Sequence, residues 1–463
     1  MIWLWWLASR AGVLYLVSSF GRHQEVSVLA DVRLYTEWFA KDLSHGRIPS
    51  SDAMWNYPPG AGLTLWAAGL IAPYVLGFIV LMLAADAAIM RTIVKRAPDR
   101  AGPWLWVLAP LMLGPVMVTR FDLIPTLLAV VGVGAGPVAA GFLLCSGAWV
   151  KMWPVAILAV RLAMATASQR ARMALGALIA SAGAAALVAV TGQWSSLTGW
   201  LSGNGARGLQ IESVAAAPWL VARTLGLHVA ARYDHGSVQL YGPGTAAAAT
   251  LCSVLGLVVL VVGVYLARHS RETATVCAAM VLCITVSTKV LSPQYLLWSI
   301  GLLALTRSRK AMALLAAACL LTQLVYPTTY LSFVAGAPAP SMTIVLRDLL
   351  VVACAVVVTR DAVRLTSRAR LSEEAAQAAE LRNMLESRAA SVSHRHSLSA
   401  HARPAMPIPL ARSASDSRSA TAAAIWASDR PDTTRPVVPS MTASGAPPES
   451  PETTGSPQAD ASR

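Results

Sequence analysis

Charge is scarce in this chain. Asp, Glu, Lys and Arg make up 13% of its 463 residues, against about a quarter in an ordinary water-soluble domain. With 56% hydrophobic residues and a mean hydropathy of +0.55, that shortage excludes a water-soluble globular protein and points to an all-α polytopic membrane protein. Several chemical signatures are also missing. There is no GxxxxGK[ST] phosphate loop, no His-Glu-x-x-His and no Cys-x-x-Cys, which removes the usual nucleotide, zinc-peptidase and dithiol chemistries. The six cysteines lie in apolar stretches without metal-ligand spacing and read as small buried apolar residues. His23, His45, His228 and His235 are too dispersed for a metal site. Gly132, Gly134 and Gly136 lie in an apolar run, fail the dinucleotide spacing and suit helix packing instead. No metal and no cofactor is expected. No internal repeat is clear enough to argue for an inverted-repeat transporter.

What is present is a succession of apolar runs separated by short basic punctuation. Helical spans are expected near 2–20, 74–94, 103–119, 122–136, 138–151, 153–166, 173–191, 244–267, 273–290, 293–306, 310–328 and 342–360, about twelve in all. The stretch 58–72 follows Tyr57-Pro58-Pro59 and is short, so it reads as an interfacial or re-entrant helix. No basic residue precedes the first run and Arg10 interrupts it, which favours a retained helix over a cleaved leader. The net charge of +14 implies no nucleic acid, because the basic residues sit between apolar segments and in the C-terminal region. That is the positive-inside pattern. Lys95-Arg96, Arg170 with Arg172, Arg268 with Arg271, Arg307 to Lys310, and Arg360 with Arg364 are therefore placed in the cytoplasm, with both termini. Residues 1–360 form the expected membrane domain. From 361 onward a cytoplasmic tail is expected, with a short helix starting at Ser372-Glu373-Glu374 and running to about 390, then a Ser-, Ala-, Pro- and Thr-rich stretch without regular structure.

The same alternation sends an unusual set of polar residues to the opposite, extracytoplasmic face. These are the loop 21–73, the turn Arg120-Phe121-Asp122, the turn Lys151-Met152-Trp153-Pro154, the loop 192–243 and the turn after Lys289. Charge at the edge of a span is costly and usually functional. Nucleotide sugars and ATP are absent outside the cytoplasm, so a group transfer there draws on an activated lipid, most simply a polyprenyl-phosphate sugar. Such a donor already carries its phosphate leaving group. The reaction then needs one carboxylate as base for an acceptor hydroxyl and cations to hold the phosphate, in contrast to the two carboxylates of glycoside hydrolysis.

Asp31, at the exit of the first span, is the first candidate for that base; the alternative is that it caps a helix over 32–43. Tyr35 falls on its helical face at i+4 and suits the wall of a sugar pocket. Glu37, Asp42 and Asp52 are weaker acids for the role. Lys151 and Lys289 are phosphate candidates as point charges, and Arg120 and Arg207 as bidentate partners. The alternative for each is snorkelling to the interface. Asp122 is a candidate partner for Arg120, and Glu212 for Arg207 or for sugar hydroxyls. Trp38 and Trp55 are candidates for stacking on sugar among tryptophans that otherwise read as interfacial.

These stretches together resemble a known family. Asp31…Tyr35…Trp38 with Gly46, Pro49 and Tyr57-Pro58-Pro59, the turn Arg120-Phe121-Asp122, the element Lys151-Met152-Trp153-Pro154, the segment Arg207 to Ser213, and Ser287 to Trp298 are similar to glycosyltransferase family 87 of the GT-C superfamily. This family comprises the polyprenyl-phosphate-mannose-dependent mannosyltransferases of actinobacterial type. The resemblance covers residues 1–360. It implies a GT-C-like fold, a catalytic aspartate at Asp31 in a large first extracytoplasmic loop, and inverting transfer from a lipid-phosphate sugar. It also implies substrate contacts at Tyr57, Gln210, Glu212, Gln294 and Tyr295. One departure is that Pro49 is followed by Ser50, where the family often has Pro-Tyr.

The expected function is thus a multi-pass plasma-membrane glycosyltransferase surrounded by membrane lipids. It moves a sugar, with mannose the expected one, onto a lipid-linked or cell-envelope glycan acceptor. The alternative is a transporter or flippase of lipid-linked intermediates, for which Asp86 within the second span speaks mildly.

Overall fold

The computed structural model describes residues 1–19, 26–270 and 272–400. The chain divides into a compact unit, Met1–Arg388, and a second unit, Ala389–Arg463, described only where its first residues are helical. His23, Arg271 and the tail beyond 400 lie outside the described residues.

The protein is mostly helical, and among the described residues four helices are long and apolar enough to cross a membrane: Tyr74–Arg96, Ala167–Thr191, Thr245–Ala267 and the portion Pro338–Ser367 of a longer helix. Local chemistry sets their ends. Ala167–Thr191 opens on a capping box, in which the Thr166 hydroxyl accepts from the Gln169 amide and the Gln169 side chain accepts from the Thr166 amide. This starts the helix earlier than its apolar run alone predicts. It closes on Gly192, whose left-handed φ of 68° suits glycine. Tyr74–Arg96 closes on Lys95 and Arg96, cations at the negative end of the helix dipole. On Thr245–Ala267, Leu251, Leu257 and Val261 are 60–66% exposed. Large apolar side chains in such a row suit hydrocarbon, not water.

Each of the twelve expected spans contains helix, but most of these helices are short. Leu123–Val133 and Pro154–Met164 have 11 residues each, and Tyr295–Leu303 has nine. At about 1.5 Å per residue the last is about 14 Å long, half the thickness of a hydrocarbon core of about 30 Å. Gly114-Pro115, Lys151 to Pro154 and Ser292-Pro293 interrupt the apolar sequence, and these breaks sit beside the charges singled out above. A short helix, Gly60–Ala68, occupies the stretch expected to be interfacial or re-entrant. The last helix, Pro338–Ala400, runs unbroken through Ser372, where the sequence predicts a new start.

An all-α description needs one correction. The segment between Ala167–Thr191 and Thr245–Ala267 folds two short helices, Gly199–Ala206 and Ala217–Thr224, beside a small antiparallel sheet. Its strands are β1 (Leu209–Gln210), β2 (Ala230–Asp234) and β3 (Ser237–Tyr241), in the order β1-β3-β2. Strands β2 and β3 are joined by His235 and Gly236, with φ of 47° and 76°, the positive pair that a two-residue type I′ hairpin requires.

In the bundle the Asp86 carboxylate, fully buried, is fully met. Its Oδ1 accepts from Arg10 Nη2 at 2.7 Å and Trp106 Nε1 at 2.8 Å, and its Oδ2 from Arg10 Nε at 2.7 Å and Trp6 Nε1 at 2.8 Å. Arg10 also donates to the carbonyls of Trp106 and Val107. Asp86→Leu strands a buried guanidinium, a loss of about 3–5 kcal/mol. Arg10→Met combined with Asp86→Leu removes both charges and is expected to regain a large part of it. Thermal unfolding of the purified variants in detergent measures both.

Candidate active site

Most of the residues expected to act converge on one cavity of about 540 Å³. Asp31, Tyr35 and Trp38 line it from the helix Ala30–Lys41, and Tyr57 from the turn that follows. Arg120, Lys151, Arg207, Gln210, Glu212, Gln294 and Tyr295 complete it from four further segments. Glu37, Asp122 and Lys289 do not line it.

Asp31 lies in the first turn of Ala30–Lys41, whose N-cap residue is Leu29 and makes no side-chain cap bond. The capping alternative is therefore not realised. Instead the Asp31 carboxylate pairs with the Arg120 guanidinium, and its side chain is 34% exposed against 13% for Arg120. Arg120 Nη2 also approaches the Tyr326 hydroxyl at 3.4 Å. One turn along, Tyr35 is buried and meets Phe121 edge-on at 5.8 Å, while Tyr57 meets Phe121 at 4.9 Å. Burial, with Asp122 nearby, pushes the Tyr57 phenol up to about 12, so it remains a hydroxyl at neutral pH.

Asp122 does not pair with Arg120, as the sequence led us to expect. Being the last residue before the helix Leu123–Val133, its side chain turns inward, where Lys151 Nζ donates to both its oxygens at 2.7 and 2.9 Å and Trp298 Nε1 donates to Oδ1 at 2.7 Å. Lys151 follows the helix Pro137–Val150, so a cation ends one helix and a carboxylate begins another. The rings of Tyr295, Phe121, Trp298 and Tyr57 stand 5.2–5.9 Å from its ammonium. Trp298 stacks on Trp153 at 5.0 Å and on Tyr295 at 4.0 Å. Lys151 is thus a caged, neutralised cation, not a snorkelling one.

Arg207 is held by the hairpin. Its Nε and Nη2 donate to the carbonyl of His235 at 3.0 and 2.8 Å, and it makes no ion pair with Glu212. Gln210 is a brace. Its Oε1 accepts from the Leu291 amide at 2.6 Å, and its backbone amide donates to the Lys289 carbonyl at 3.0 Å, which joins β1 to the turn before Tyr295–Leu303. Lys289 itself donates to the Gly205 carbonyl at 2.8 Å, outside the cavity. Glu37 is 60% exposed and pairs with Lys41 along its own helix. Asp42 pairs with Arg47. Asp52 accepts from Trp38 Nε1 and the Met54 amide. Trp38 and Trp55 are buried edge-on against each other at 5.1 Å, so Trp38 reaches the cavity as packed wall.

Glu212 is 3% exposed, and its Oε1 has no hydrogen-bond partner among the described residues. Burial pushes its carboxyl up to about 7, partly opposed by Arg347 and Arg120 and reinforced by Asp348. Arg347 Nη2 donates to the Glu212 carbonyl at 2.8 Å, and Arg347 Nε lies 3.0 Å from Asp348 Oδ1. Our sequence reading passed over Arg347-Asp348, yet two adjacent charges inside the apolar run 342–360 are a readable signal.

A carboxyl whose pKa is raised by folding holds its proton more tightly in the folded state than in the unfolded chain. Its contribution to stability is therefore complete below the ordinary glutamate value of 4.5 and is lost as the pH rises through about 7. Glu212→Gln is expected to unfold like the native protein near pH 4 and to be more stable near pH 8, by at most about 3 kcal/mol. Thermal unfolding at the two pH values decides it. Comparison with protein families, with curated proteins and with solved structures returns no match for this chain.

Proposed function

We propose that the protein is an integral-membrane glycosyltransferase of GT-C type, as its resemblance to glycosyltransferase family 87 implies. It takes a sugar, with mannose the expected one, from a polyprenyl-phosphate donor. The acceptor is a lipid-linked or cell-envelope glycan at the extracytoplasmic face of the plasma membrane. In this reading about twelve segments cross or enter the bilayer, both termini are cytoplasmic, and the cavity opens outward.

One observation carries the reading. Asp31, Arg120, Arg207, Gln294 and Tyr295, scattered along the sequence, line a single cavity. That cavity combines what the reaction requires: a partly exposed carboxylate, guanidiniums and aromatic walls. The acceptor hydroxyl oxygen attacks the anomeric carbon from the side opposite the phosphate, and Asp31 takes the hydroxyl proton. The bond from the anomeric carbon to the phosphate oxygen breaks, and polyprenyl phosphate leaves as an anion stabilised by Arg207 and Arg120. Attack from the opposite side inverts the anomeric centre. The caged Lys151–Asp122 pair supports the wall and is not a phosphate ligand, and Lys289 positions its turn.

A second reading, transport or flipping of lipid-linked intermediates, is favoured by Arg347 and Asp348, which are buried in a helix long enough to cross a membrane. Membranes containing the native protein or Asp31→Asn at matched amounts, supplied with radiolabelled polyprenyl-phosphate mannose, separate the two. Transfer of label to extractable glycolipid in the native sample, reduced by about a hundredfold or more in Asp31→Asn, is the expected outcome. Equal transfer in both removes Asp31 from the mechanism, and no transfer in either favours the transport reading.

A further inference from the structure

The four cations expected to meet an anion are not equally available to one. Lys151 is chelated by both oxygens of Asp122. Lys289 bonds a carbonyl outside the cavity. Arg207 lines the cavity and donates two N–H groups to one neutral carbonyl. It has no carboxylate in ion-pair contact among the described residues, so its full charge faces the space. Arg120 also lines the cavity, but its guanidinium is paired with Asp31.

The Asp31–Arg120 pair occupies the two groups that the proposed reaction most needs. A carboxylate held by a guanidinium is a weaker base, because the cation favours its charged form. A guanidinium held by a carboxylate has less to offer a phosphate, since both anions use the same planar fork. Arg120 and Arg207 both line the cavity, and each is near enough to the Tyr233 phenol to oppose electrostatically the rise that burial gives it. One phosphate has enough oxygens to engage two guanidiniums at once.

The geometry points to a base that the donor itself releases: a phosphate ester drawn to Arg207 displaces Asp31 from Arg120, and only then is the Asp31 carboxylate free to accept a hydroxyl proton. This rests on the lipid-phosphate reading above. It makes binding ordered, donor before acceptor, and leaves the empty site without an active base. As the bond to the sugar breaks, negative charge grows on the phosphate and tightens its hold on Arg120, so Asp31 stays free through the transfer. When the phosphate product leaves, Asp31 gives up its proton and pairs with Arg120 again.

Competition makes a prediction opposite to that of an ordinary active-site substitution: removing the proposed catalytic acid tightens phosphate binding. The probe is farnesyl phosphate, titrated into purified full-length protein in detergent and followed by tryptophan fluorescence, with farnesol as the phosphate-free control. Asp31→Asn is expected to bind farnesyl phosphate roughly two- to fivefold more tightly than the native protein, the worth of one partly exposed ion pair. In an Arg120→Gln background the same change is expected to give no gain, because there is no guanidinium left to release. Should Arg120→Gln fail to fold, Arg120→Lys replaces it: a point charge holds Asp31 less well, and the gain is expected to shrink. Asp31→Asn affinity equal to or below native overturns the inference. So does a gain that persists undiminished in the Arg120 background, since that is long-range repulsion and not competition. Either result leaves the lipid-phosphate reading standing. Absence of phosphate-dependent binding in every protein removes that reading and the inference together.

Discussion

An ionised carboxylate in an apolar bundle persists only where donors meet it, and Asp122 is the residue at which this requirement organises the cavity. Lys151 lies 29 residues away in the chain and Trp298 lies 176 away, yet both donate to it. The turn before Leu123–Val133, the turn after Pro137–Val150 and the helix Tyr295–Leu303 are thereby held at one point. The contact also fixes its neighbours. Phe121, the preceding residue, packs against Tyr35 and Tyr57. Arg120, one residue further back, is delivered to the Asp31 carboxylate. The first-loop helix meets the rest of the molecule at this three-residue turn and, beside it, through the contacts of Tyr35 with Phe78 and of Phe39 with Tyr74.

The short helices follow from the same requirement. A helix end leaves backbone donors or acceptors unpaired, which hydrocarbon does not tolerate but a polar cavity does. Trp153 precedes a helix that starts at the cavity wall, Lys151 follows one that ends there, and Gln294 precedes another, while Asp122, bonded to Lys151 from behind the wall, precedes a fourth. The apolar sequence is cut where polar ends are wanted. In Arg161, whose guanidinium donates to the carbonyls of Val133 and Ala135 at 2.8 and 2.9 Å, the chain meets the same problem at another helix end with a side chain instead of a cavity.

Legibility in the sequence divides along physical lines. Apolar runs located the helices well, because burial and length leave a strong one-dimensional signal. They located helix ends less well: the Thr166 capping box and the run of the last helix through Ser372 are set by local hydrogen bonding and propensity, not by hydropathy. The three-stranded sheet was missed although Asp234-His235-Gly236-Ser237 carries a hairpin turn, because its strands are only two to five residues long. At the site, residue type and position singled out Asp31, Tyr35, Arg120 and Arg207, which share the cavity. Pairing was not legible. Whether Lys151 or Arg120 takes Asp122 depends on the directions of side chains on three helix ends. Glu37 and Lys289 illustrate the limit from the other side: each has the right charge in the right loop, and each points elsewhere.

Two buried charge groups that look alike in sequence differ in how they are satisfied. Asp86 has four donors and one guanidinium to itself, so it is a closed structural pair with nothing left to move. Glu212, Arg347 and Asp348 set two carboxylates around one guanidinium, and Glu212 Oε1 is left without a partner. Burial pushes the Glu212 carboxyl up to about 7, and Glu212 is the member of this group that lines the cavity. When protonated, Glu212 presents a neutral hydroxyl to the cavity, a hydrogen-bond donor without negative charge. The field of Arg207 then remains uncancelled, and the cavity keeps a positive bias even while Arg120 and Lys151 are occupied by Asp31 and Asp122.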